Sequence, residues 1–213
     1  MRYKGIIFDL DGVICSTDEY HYMAWKALAD RLGIPFDRER NNLLRGVSRM
    51  ASLEIVLEKG EKSYTNEEKA AFAEEKNTNY RKLLGRMSPA DLSEDVKAAL
   101  EALRKTDIKL AIGSSSKNTP FILERIGLGS FFDAVADGNC ITHSKPHPEV
   151  FLKAAYMLGL SPRDCLVVED AHAGVEAAVA GGFDCAAIGD AKDDERARWH
   201  LERFGDILRA AAD

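Results

Sequence analysis

The chain has 213 residues, about 1.4 times a typical domain length, which suggests one domain with an inserted subdomain. With 46% hydrophobic residues, 30% charged residues and 6 prolines, it is not a disordered, collagen-like or repeat protein. The net charge of −6 argues against a nucleic acid or an anionic membrane as a partner held by overall charge attraction.

The chain lacks a stretch that would cross a membrane. The longest run without Asp, Glu, Lys or Arg covers only residues 154–162, whereas a spanning helix needs about 20 apolar residues. Near the start, Asp9 and Asp11 interrupt the apolar run before it reaches signal-peptide length. We therefore expect a cytoplasmic protein.

The cysteines show no zinc-like spacing and are expected to be buried free thiols: Cys15, Cys140, Cys165 and Cys185.

The first predicted element is a buried parallel strand at residues 5–8, which leads directly into Asp9 and Asp11. Two carboxylates at this spacing point the same way in an extended chain. They suit a site where one carboxylate attacks or binds a metal while the other moves a proton. A calcium loop is excluded because Gly12 comes two residues too early and Tyr20 occupies the place of the bidentate Glu. A structural turn that caps the strand remains the alternative.

No strand is predicted from residue 16 to residue 88, where helical patterns follow one another. Helices are predicted at 18–32, at 48–59 and from 65 to 84, the last with a capping box formed by Thr65 and Glu68. Gly and Pro between residues 85 and 89 read as a linker. We predict a core of residues 1–15 and 89–213, interrupted by a helical cap subdomain at 16–88.

The rest of the chain alternates between helix and strand. Strands are predicted at 108–112 and 165–168, with weaker ones at 134–136 and 183–188; helices are predicted at 93–105, 119–126, 148–158 and 173–180. The charged tail beyond Asp190 reads as helix up to Ala212. The pattern predicts an α/β fold, a doubly wound parallel-sheet (Rossmann-like) core with its function at the carboxyl ends of the strands.

Polar groups follow the later strands as well. The hydroxyls and backbone amides of residues 114–118 suit a phosphate, or an ordinary helix cap. Lys145 precedes a proline-initiated helix and is otherwise read as a solvated lysine. Glu169 and Asp170 form a second acidic pair, and two such pairs make an oxygen site that favours Mg²⁺.

Two histidines have ligand-like spacing near Lys145. His143 and His147 are four residues apart, but Pro146 and Pro148 are expected to prevent the regular helix that would align them. We therefore predict no functional role for these two histidines.

The order of these motifs resembles a known superfamily. Asp-x-Asp, then Ser, then Lys, then an acidic pair resembles the haloacid-dehalogenase-like phosphotransferases over nearly the whole chain, and the insert resembles their helical cap of the first type. Within that superfamily the cap resembles the β-phosphoglucomutase family, in the stretches 18–21, 24–29, 46–49 with Ser52, 76–80, 88–91 and 116–118. That family interconverts β-glucose 1-phosphate and glucose 6-phosphate through β-glucose 1,6-bisphosphate.

The resemblance implies roles for the core residues. Asp9 would be the nucleophile that becomes an aspartyl phosphate, and Asp11 the general acid/base. Mg²⁺ would be held by the Asp9 carboxylate, the Asp11 backbone carbonyl, Glu169 and Asp170. Ser114 and Lys145 would grip the transferring phosphoryl group, whose transfer needs mainly charge neutralisation and in-line placement.

The resemblance also implies roles for the cap. Arg49, with Ser116, Lys117 and Asn118, would bind the phosphate that is not transferred, since Arg suits a bidentate grip on phosphate. Thr17 and His21 would link cap closure to the placement of Asp11. The remaining substrate-binding residues would be Trp25, Gly46, Val47, Ser52, Lys76 and Ser115. The alternatives are a solvated Arg49 in the first turn of a helix and a packed His21.

Two departures from the family pattern affect the substrate side, namely Arg45 in place of a lysine and Ser115 in place of a smaller residue. We expect an enzyme that is a monomer, acts on a small sugar phosphate and requires Mg²⁺ with β-glucose 1,6-bisphosphate as activator and intermediate. The alternative is a sugar-phosphate or phosphoglycolate-type phosphatase of the same superfamily. A non-catalytic binding protein is disfavoured because the nucleophile and the metal carboxylates are all present.

Overall fold

The computed structural model describes residues 2–44 and 47–212. Its sheet has six strands within this part of the chain: β1 Gly5–Phe8, β2 Lys109–Gly113, β3 Ala134–Ala136, β4 Cys165–Glu169, β5 Asp184–Ala187 and β6 Trp199–His200. All neighbouring strands are parallel, in the order β3-β2-β1-β4-β5-β6. This is the strand order of a doubly wound Rossmann-like sheet, so the predicted fold class is confirmed.

The described helices divide between the two parts of the chain. The early ones are α1 Asp18–Leu32, α2 Arg38–Asn42, α3 Arg49–Leu57 and α4 Asn66–Leu84. The later ones are α5 Glu94–Arg104, α6 Thr119–Arg125, α7 Glu149–Leu158, α8 His172–Ala180 and α9 Ile207–Ala212. Short 3₁₀ turns lie at Pro89–Asp91, Pro162–Asp164, Gly189–Ala191 and Phe204–Asp206.

The ends of the cap helices follow local sequence signals. Gly33 ends α1 in the left-handed region, at φ 71°, where a residue without Cβ meets no steric penalty. At the start of α4, the Thr65 side chain accepts from the Glu68 backbone and the Glu68 side chain accepts from the Thr65 backbone. The predicted capping box is therefore confirmed.

The chain forms two compact units: Met1–Ser16 with Ser88–Asp213, and Thr17–Met87. The boundaries expected from the sequence, after residues 15 and 88, differ from these by one residue each. In the first unit, hereafter the core unit, every residue of β1 and β4 is buried, so the sheet is covered on both faces. In the second, the cap unit, α1 packs on α4 and α3 packs on both, around a cluster that includes Trp25, Leu28 and Leu53.

The tail differs from its prediction. Instead of a helix to Ala212, residues beyond Asp190 form a short edge strand, β6, one 3₁₀ turn at Phe204–Asp206 and a helix of six residues. The strand forms because β5 still offers an unpaired edge, with which Trp199 and His200 pair. The pattern of charges along the tail does not indicate this long-range pairing.

All four cysteines are free, and three of them are buried. Cys140 is only half-buried, so the prediction of a buried thiol was wrong at that position. It lies in the loop after β3, which is covered less completely than the strands are. Among the described residues, no helix has both the length and the apolar character needed to span a bilayer.

Candidate active site

The register of the sheet brings the polar strand ends together. Phe8 pairs with Ile112 on one side and with Val168 on the other, so Asp9 follows its strand beside Gly113 and Glu169. The Asp9 N–H donates to the Val168 carbonyl at 2.9 Å, which extends the pairing by one step. The carboxyl ends of parallel strands thus bring together groups that are far apart in the sequence.

Lys145 is buried against two of these carboxylates. Its Nζ donates to Asp9 Oδ1 at 2.5 Å and also to Glu169 Oε1, and the ring of Phe151 lies 4.6 Å from the ammonium. Burial alone would lower the pKa of Lys145, but the two carboxylates raise it, so the side chain stays charged. The solvated-lysine alternative is therefore wrong.

Two glycines make room for the acidic pair. A Cβ on Gly12 would lie 2.0 Å from Asp170 Oδ2, and φ at Gly12 is 84°. A Cβ on Gly174 would lie 1.9 Å from Glu169 Oε1. The other oxygen of Glu169 accepts from the Asp170 and Ala171 backbone N–H groups at 2.9 and 3.0 Å. The backbone at these two positions thus lies so close to the carboxylates that only glycine, which has no Cβ, fits there.

The cluster carries more negative charge than Lys145 balances. Burial raises the pKa of Asp9 to about 7, with Lys145 opposing the rise and Glu169 and Asp11 adding to it. Burial, Glu169 and Asp9 raise the pKa of Asp170 to about 9. A divalent cation would remove this repulsion, and a set of carboxylate oxygens is the donor type that Mg²⁺ prefers. The residues present therefore fit the expected metal.

We expect Mg²⁺ to stabilise the protein, and more strongly at pH 8 than at pH 5. The raised pKa values mean that between about pH 4 and pH 9 the metal-free folded state binds more protons than the unfolded state. Its stability therefore falls as the pH rises through that window. At 100 times its Kd, Mg²⁺ should raise Tm by about 5–10 °C at pH 8.

Thermal unfolding in EDTA and in Mg²⁺, at both pH values, measures this effect. Asp170→Asn should lose most of the Mg²⁺ effect, whereas Asp184→Asn, at the amino end of β5, should keep it. An equal Tm with and without Mg²⁺ at pH 8 would contradict the assignment.

The loop after β2 is held by hydrogen bonds to its own serine hydroxyls. Ser114 is buried, its N–H donates to the Ala136 carbonyl at 3.0 Å, and its Oγ accepts from the Ser116 N–H at 3.1 Å. The Ser116 Oγ accepts from the Asn118 N–H at 3.2 Å. These two amides are thus already bonded within the loop, contrary to the expectation that they suit a phosphate. Asn118 is the N-cap residue of α6, and its side chain makes no cap bond, so the helix-cap alternative is not observed.

The remaining residues of the loop differ in exposure. The Oγ of Ser115 is out of contact with solvent and has no hydrogen-bond partner among the described residues. Lys117 is exposed. The loop therefore offers both a buried hydroxyl and an exposed ammonium.

The support of this loop was not predicted from the sequence and comes from the end of β3. Asp137 is buried and accepts from the Asn139 backbone and side chain, both at 2.9 Å, while the Asn139 side chain also donates to the Lys117 carbonyl at 3.0 Å. A Cβ on Gly138 would lie 2.4 Å from the Ser115 carbonyl. The signal was present as a polar Asp-Gly-Asn turn after the weakest predicted strand.

In the cap unit, Lys76 is buried in an aromatic and imidazole environment. Its Nζ lies 2.9 Å from His21 Nδ1, and it sits over the rings of Trp25 and Tyr80 at 4.7 and 4.4 Å. Burial, Lys76 and Arg49 together hold the pKa of His21 well below its ordinary value, so the imidazole is neutral and accepts at Nδ1. His21 is packed, as the alternative held, but it is packed against a buried cation.

Arg49 lies in the first turn of α3, next to this cluster. It donates to Asn77 Oδ1 at 2.9 Å and is 3.7 Å from Glu74 Oε2, and burial lowers its pKa. The freely solvated alternative is therefore wrong. Ser52 and Thr17 are buried, and Val47 is half-buried with its N–H bonded to the Leu44 carbonyl. Gly46 and Arg45, assigned to the substrate side, lie outside the described residues.

The fold and this site define the class of the protein. A doubly wound core that presents a buried aspartate, a buried lysine, a serine and an acidic pair at one end of its strands is a haloacid-dehalogenase-like α/β enzyme. A family model described as haloacid dehalogenase-like hydrolase matches residues 3–182, and the chain belongs to that family.

Three similar proteins show which members of this family the chain resembles. A β-phosphoglucomutase of Bacillus subtilis is 43% identical over 87% of this chain and 83% of its own length. The crystal structure of a β-phosphoglucomutase from Clostridium difficile has a TM-score of 0.90 at 37% identity, covering 96% of this chain and 93% of that one. A fructose-1-phosphate phosphatase of Escherichia coli is 31% identical over 88% of this chain and 97% of its own.

Proposed function

We propose that this enzyme is a β-phosphoglucomutase, an isomerase that interconverts β-D-glucose 1-phosphate and D-glucose 6-phosphate. The observation that carries the proposal is the pair of cations Lys76 and Arg49 around the neutral His21 in the cap unit. Lys76 and Arg49 can bind an anionic group or a hydroxyl of the substrate. This binding is additional to the phosphoryl transfer proposed for the core unit. The 43% identity to a β-phosphoglucomutase, against 31% to a phosphatase, supports the same conclusion.

Asp9 is proposed to carry the phosphoryl group. In one half-reaction, the aspartyl phosphate passes its phosphoryl group to the 6-hydroxyl of β-glucose 1-phosphate, which gives β-glucose 1,6-bisphosphate. In the other, an oxygen of Asp9 attacks the phosphorus on C1, the bond to the C1 oxygen breaks, and glucose 6-phosphate leaves. The salt bridge to Lys145 holds the carboxylate of Asp9 in place for both steps.

Asp11 is proposed to move the proton in both half-reactions. It takes the proton of the 6-hydroxyl as that oxygen attacks, and it gives a proton to the C1 oxygen as that oxygen leaves. The hydrogen bonds from Gly12 to Cys15 and from Ile14 to Leu10 close the turn that carries Asp11. A positioned general acid/base of this kind contributes about 10²- to 10⁴-fold.

Mg²⁺ is proposed to be held by the carboxylates of Asp9, Glu169 and Asp170 and by the Asp11 backbone carbonyl. When bound, it would supply positive charge that offsets the charge on the phosphoryl group. Lys145 supplies a further fixed cation, and the Ser114 hydroxyl a hydrogen bond, to the same group.

The cap residues are proposed to bind the rest of the substrate. By the family resemblance, Arg49 and the segment Ser116, Lys117 and Asn118 are both assigned to the phosphate that is not transferred. Within the cap unit, Lys76 and His21 would bind sugar or phosphate oxygens, with Thr17 at the hinge. Trp25, Val47, Gly46, Ser52 and, from the core, Ser115 complete the proposed set. We further propose a cytoplasmic monomer that uses β-glucose 1,6-bisphosphate as activator.

The second candidate is a sugar-phosphate phosphatase, in which water takes the phosphoryl group from Asp9. The 31% identity to a fructose-1-phosphate phosphatase favours it. The two candidates differ in the acceptor of the phosphoryl group, so one assay separates them.

The mutase function predicts that β-glucose 1-phosphate, with Mg²⁺ and a trace of β-glucose 1,6-bisphosphate, is converted to glucose 6-phosphate. Glucose 6-phosphate is followed by coupled oxidation, and inorganic phosphate is measured in the same samples. The α-anomer of glucose 1-phosphate serves as the control and should give no product. Release of inorganic phosphate without glucose 6-phosphate would establish the phosphatase instead.

Arg49→Lys should lower kcat/KM of the mutase reaction by about 10- to 100-fold, because it keeps the charge but loses the bidentate geometry of a charged hydrogen bond. Arg38→Lys is the matched control, since Arg38 makes a bidentate pair with Glu19 at 2.7 and 3.1 Å on the exposed surface of the same unit. It should keep full activity. Equal kcat/KM for both variants would remove Arg49 from the substrate site.

A further inference from the structure

Two histidines and a glutamate meet in the core unit, at the start of α7. One nitrogen from each of His143 and His147 and one oxygen of Glu149 lie within 4.8 Å of one another. As expected, no regular helix runs through these two histidines, since α7 begins only at Glu149. Their side chains nevertheless lie close together. No helix is needed, because a turn closed by the His147 N–H on the Ser144 carbonyl brings the two rings to 4.7 Å between centroids.

Glu149 is already ionised and oriented in this cluster. Its carboxylate accepts from the backbone N–H groups of His143 and Thr142, at 2.8 and 3.1 Å, and these bonds lower its pKa to about 2. Its Oε2 lies 3.2 Å from His143 Nδ1, and Lys153 lies 3.3 Å from the other oxygen. The Glu149 carboxylate is therefore negatively charged and held in a fixed orientation, as a metal ligand requires.

We propose that His143, His147 and Glu149 form a binding site for a borderline-soft divalent ion such as Zn²⁺. This site is separate from the acidic cluster of Asp9, Glu169 and Asp170. Two imidazoles and a carboxylate are the ligand set that such ions prefer, and a water molecule completes the four-coordinate shell. The two histidines are exposed and the glutamate is half-buried, so the ion has access from solvent.

The distances fit such an ion after a small movement. Zinc bonds of about 2.0–2.1 Å in a tetrahedron place ligand atoms about 3.3 Å apart. The separation of His143 Nδ1 and Glu149 Oε2 already matches this. His147 Nδ1 accepts from the Glu149 N–H at 3.3 Å, a long bond that an ion at that nitrogen would replace. The three ligand atoms lie within 4.8 Å of one another and both rings are exposed, so rotation of the rings can bring them to these separations.

The site has a structural consequence for the active centre. His143 and His147 stand two residues before and two residues after Lys145, whose ammonium holds Asp9 and Glu169. An ion bound to both histidines therefore constrains the backbone on both sides of that lysine.

The test is calorimetric titration of the full chain with Zn²⁺ in the presence of excess Mg²⁺, which occupies the acidic cluster. We expect one equivalent of Zn²⁺ to bind, and Co²⁺ in its place to give the visible absorption of a four-coordinate site. His143→Ala with His147→Ala should weaken binding at least about tenfold, since two of three protein ligands are lost.

Two variants serve as controls. His200→Ala removes an exposed histidine on β6, at the opposite edge of the sheet from β3, and should leave the Zn²⁺ affinity unchanged. Asp170→Asn weakens the acidic cluster and should also leave it unchanged. Failure of the unmodified chain to bind Zn²⁺ overturns the proposal, as does equal affinity of the double variant and His200→Ala. The result does not depend on which phosphoryl acceptor the enzyme uses.

Discussion

Asp9→Asn is expected to lower turnover by at least about 10⁴-fold, because an amide cannot form the phosphoryl-enzyme intermediate. Asn keeps the size of the side chain, and its oxygen can still accept from Lys145. The variant should therefore fold, with a Tm equal to or slightly above that of the unmodified protein in EDTA, since one charge of a crowded acidic cluster is removed.

The measurement has two parts. Coupled-assay turnover gives the loss of activity, and acid-quenched protein after incubation with ³²P-labelled β-glucose 1,6-bisphosphate shows whether the chain becomes labelled. Asp184→Asn, at the amino end of β5, controls for loss of an aspartate and should keep both signals. Covalent labelling of Asp9→Asn at the level of the control would assign the nucleophile to another residue.

Lys145→Met is expected to lower both stability and activity. Removal of the ammonium leaves Asp9 and Glu169 buried without their shared partner, and breaking a buried ion pair in this way costs about 3–5 kcal/mol. Loss of one fixed cation at the proposed site of the phosphoryl group should lower kcat by about 10²- to 10³-fold. The two effects have different causes and can be separated with metal.

Chemical denaturation at pH 8 gives the free energy of unfolding in EDTA and in Mg²⁺. Mg²⁺ should restore part of the stability of Lys145→Met, because the ion offsets the repulsion among the carboxylates, but it should not restore kcat. Lys192→Met is the control: that lysine pairs with Glu202 at 2.7 Å on the surface, and its loss should change neither quantity measurably. A fully stable Lys145→Met in EDTA would show that the buried pairing contributes nothing.

Much of the local structure followed from the sequence. The strand Gly5–Phe8, the helix Asp18–Leu32 and the capping box at Thr65 are set by residues within a few positions of one another. The order of Asp9, Ser114, Lys145 and Glu169 along the chain is also enough, without any distance between them, to indicate the superfamily. Short-range periodicity and helix-end chemistry are encoded locally, so they can be recognised in one chain.

The contacts that make the site were decided only by the tertiary structure. Asp9 and Asp170 are 161 positions apart, and their proximity depends on the pairing of β1 with β4 and on the space left by Gly12. Three other features have the same origin: the support of the loop after β2 by Asp137, the edge strand β6, and the closeness of His143 to Glu149. Strand pairing, burial and turn closure join residues whose sequence separation leaves no local signal, so the sequence determined the chemical groups and the fold decided which of them act together.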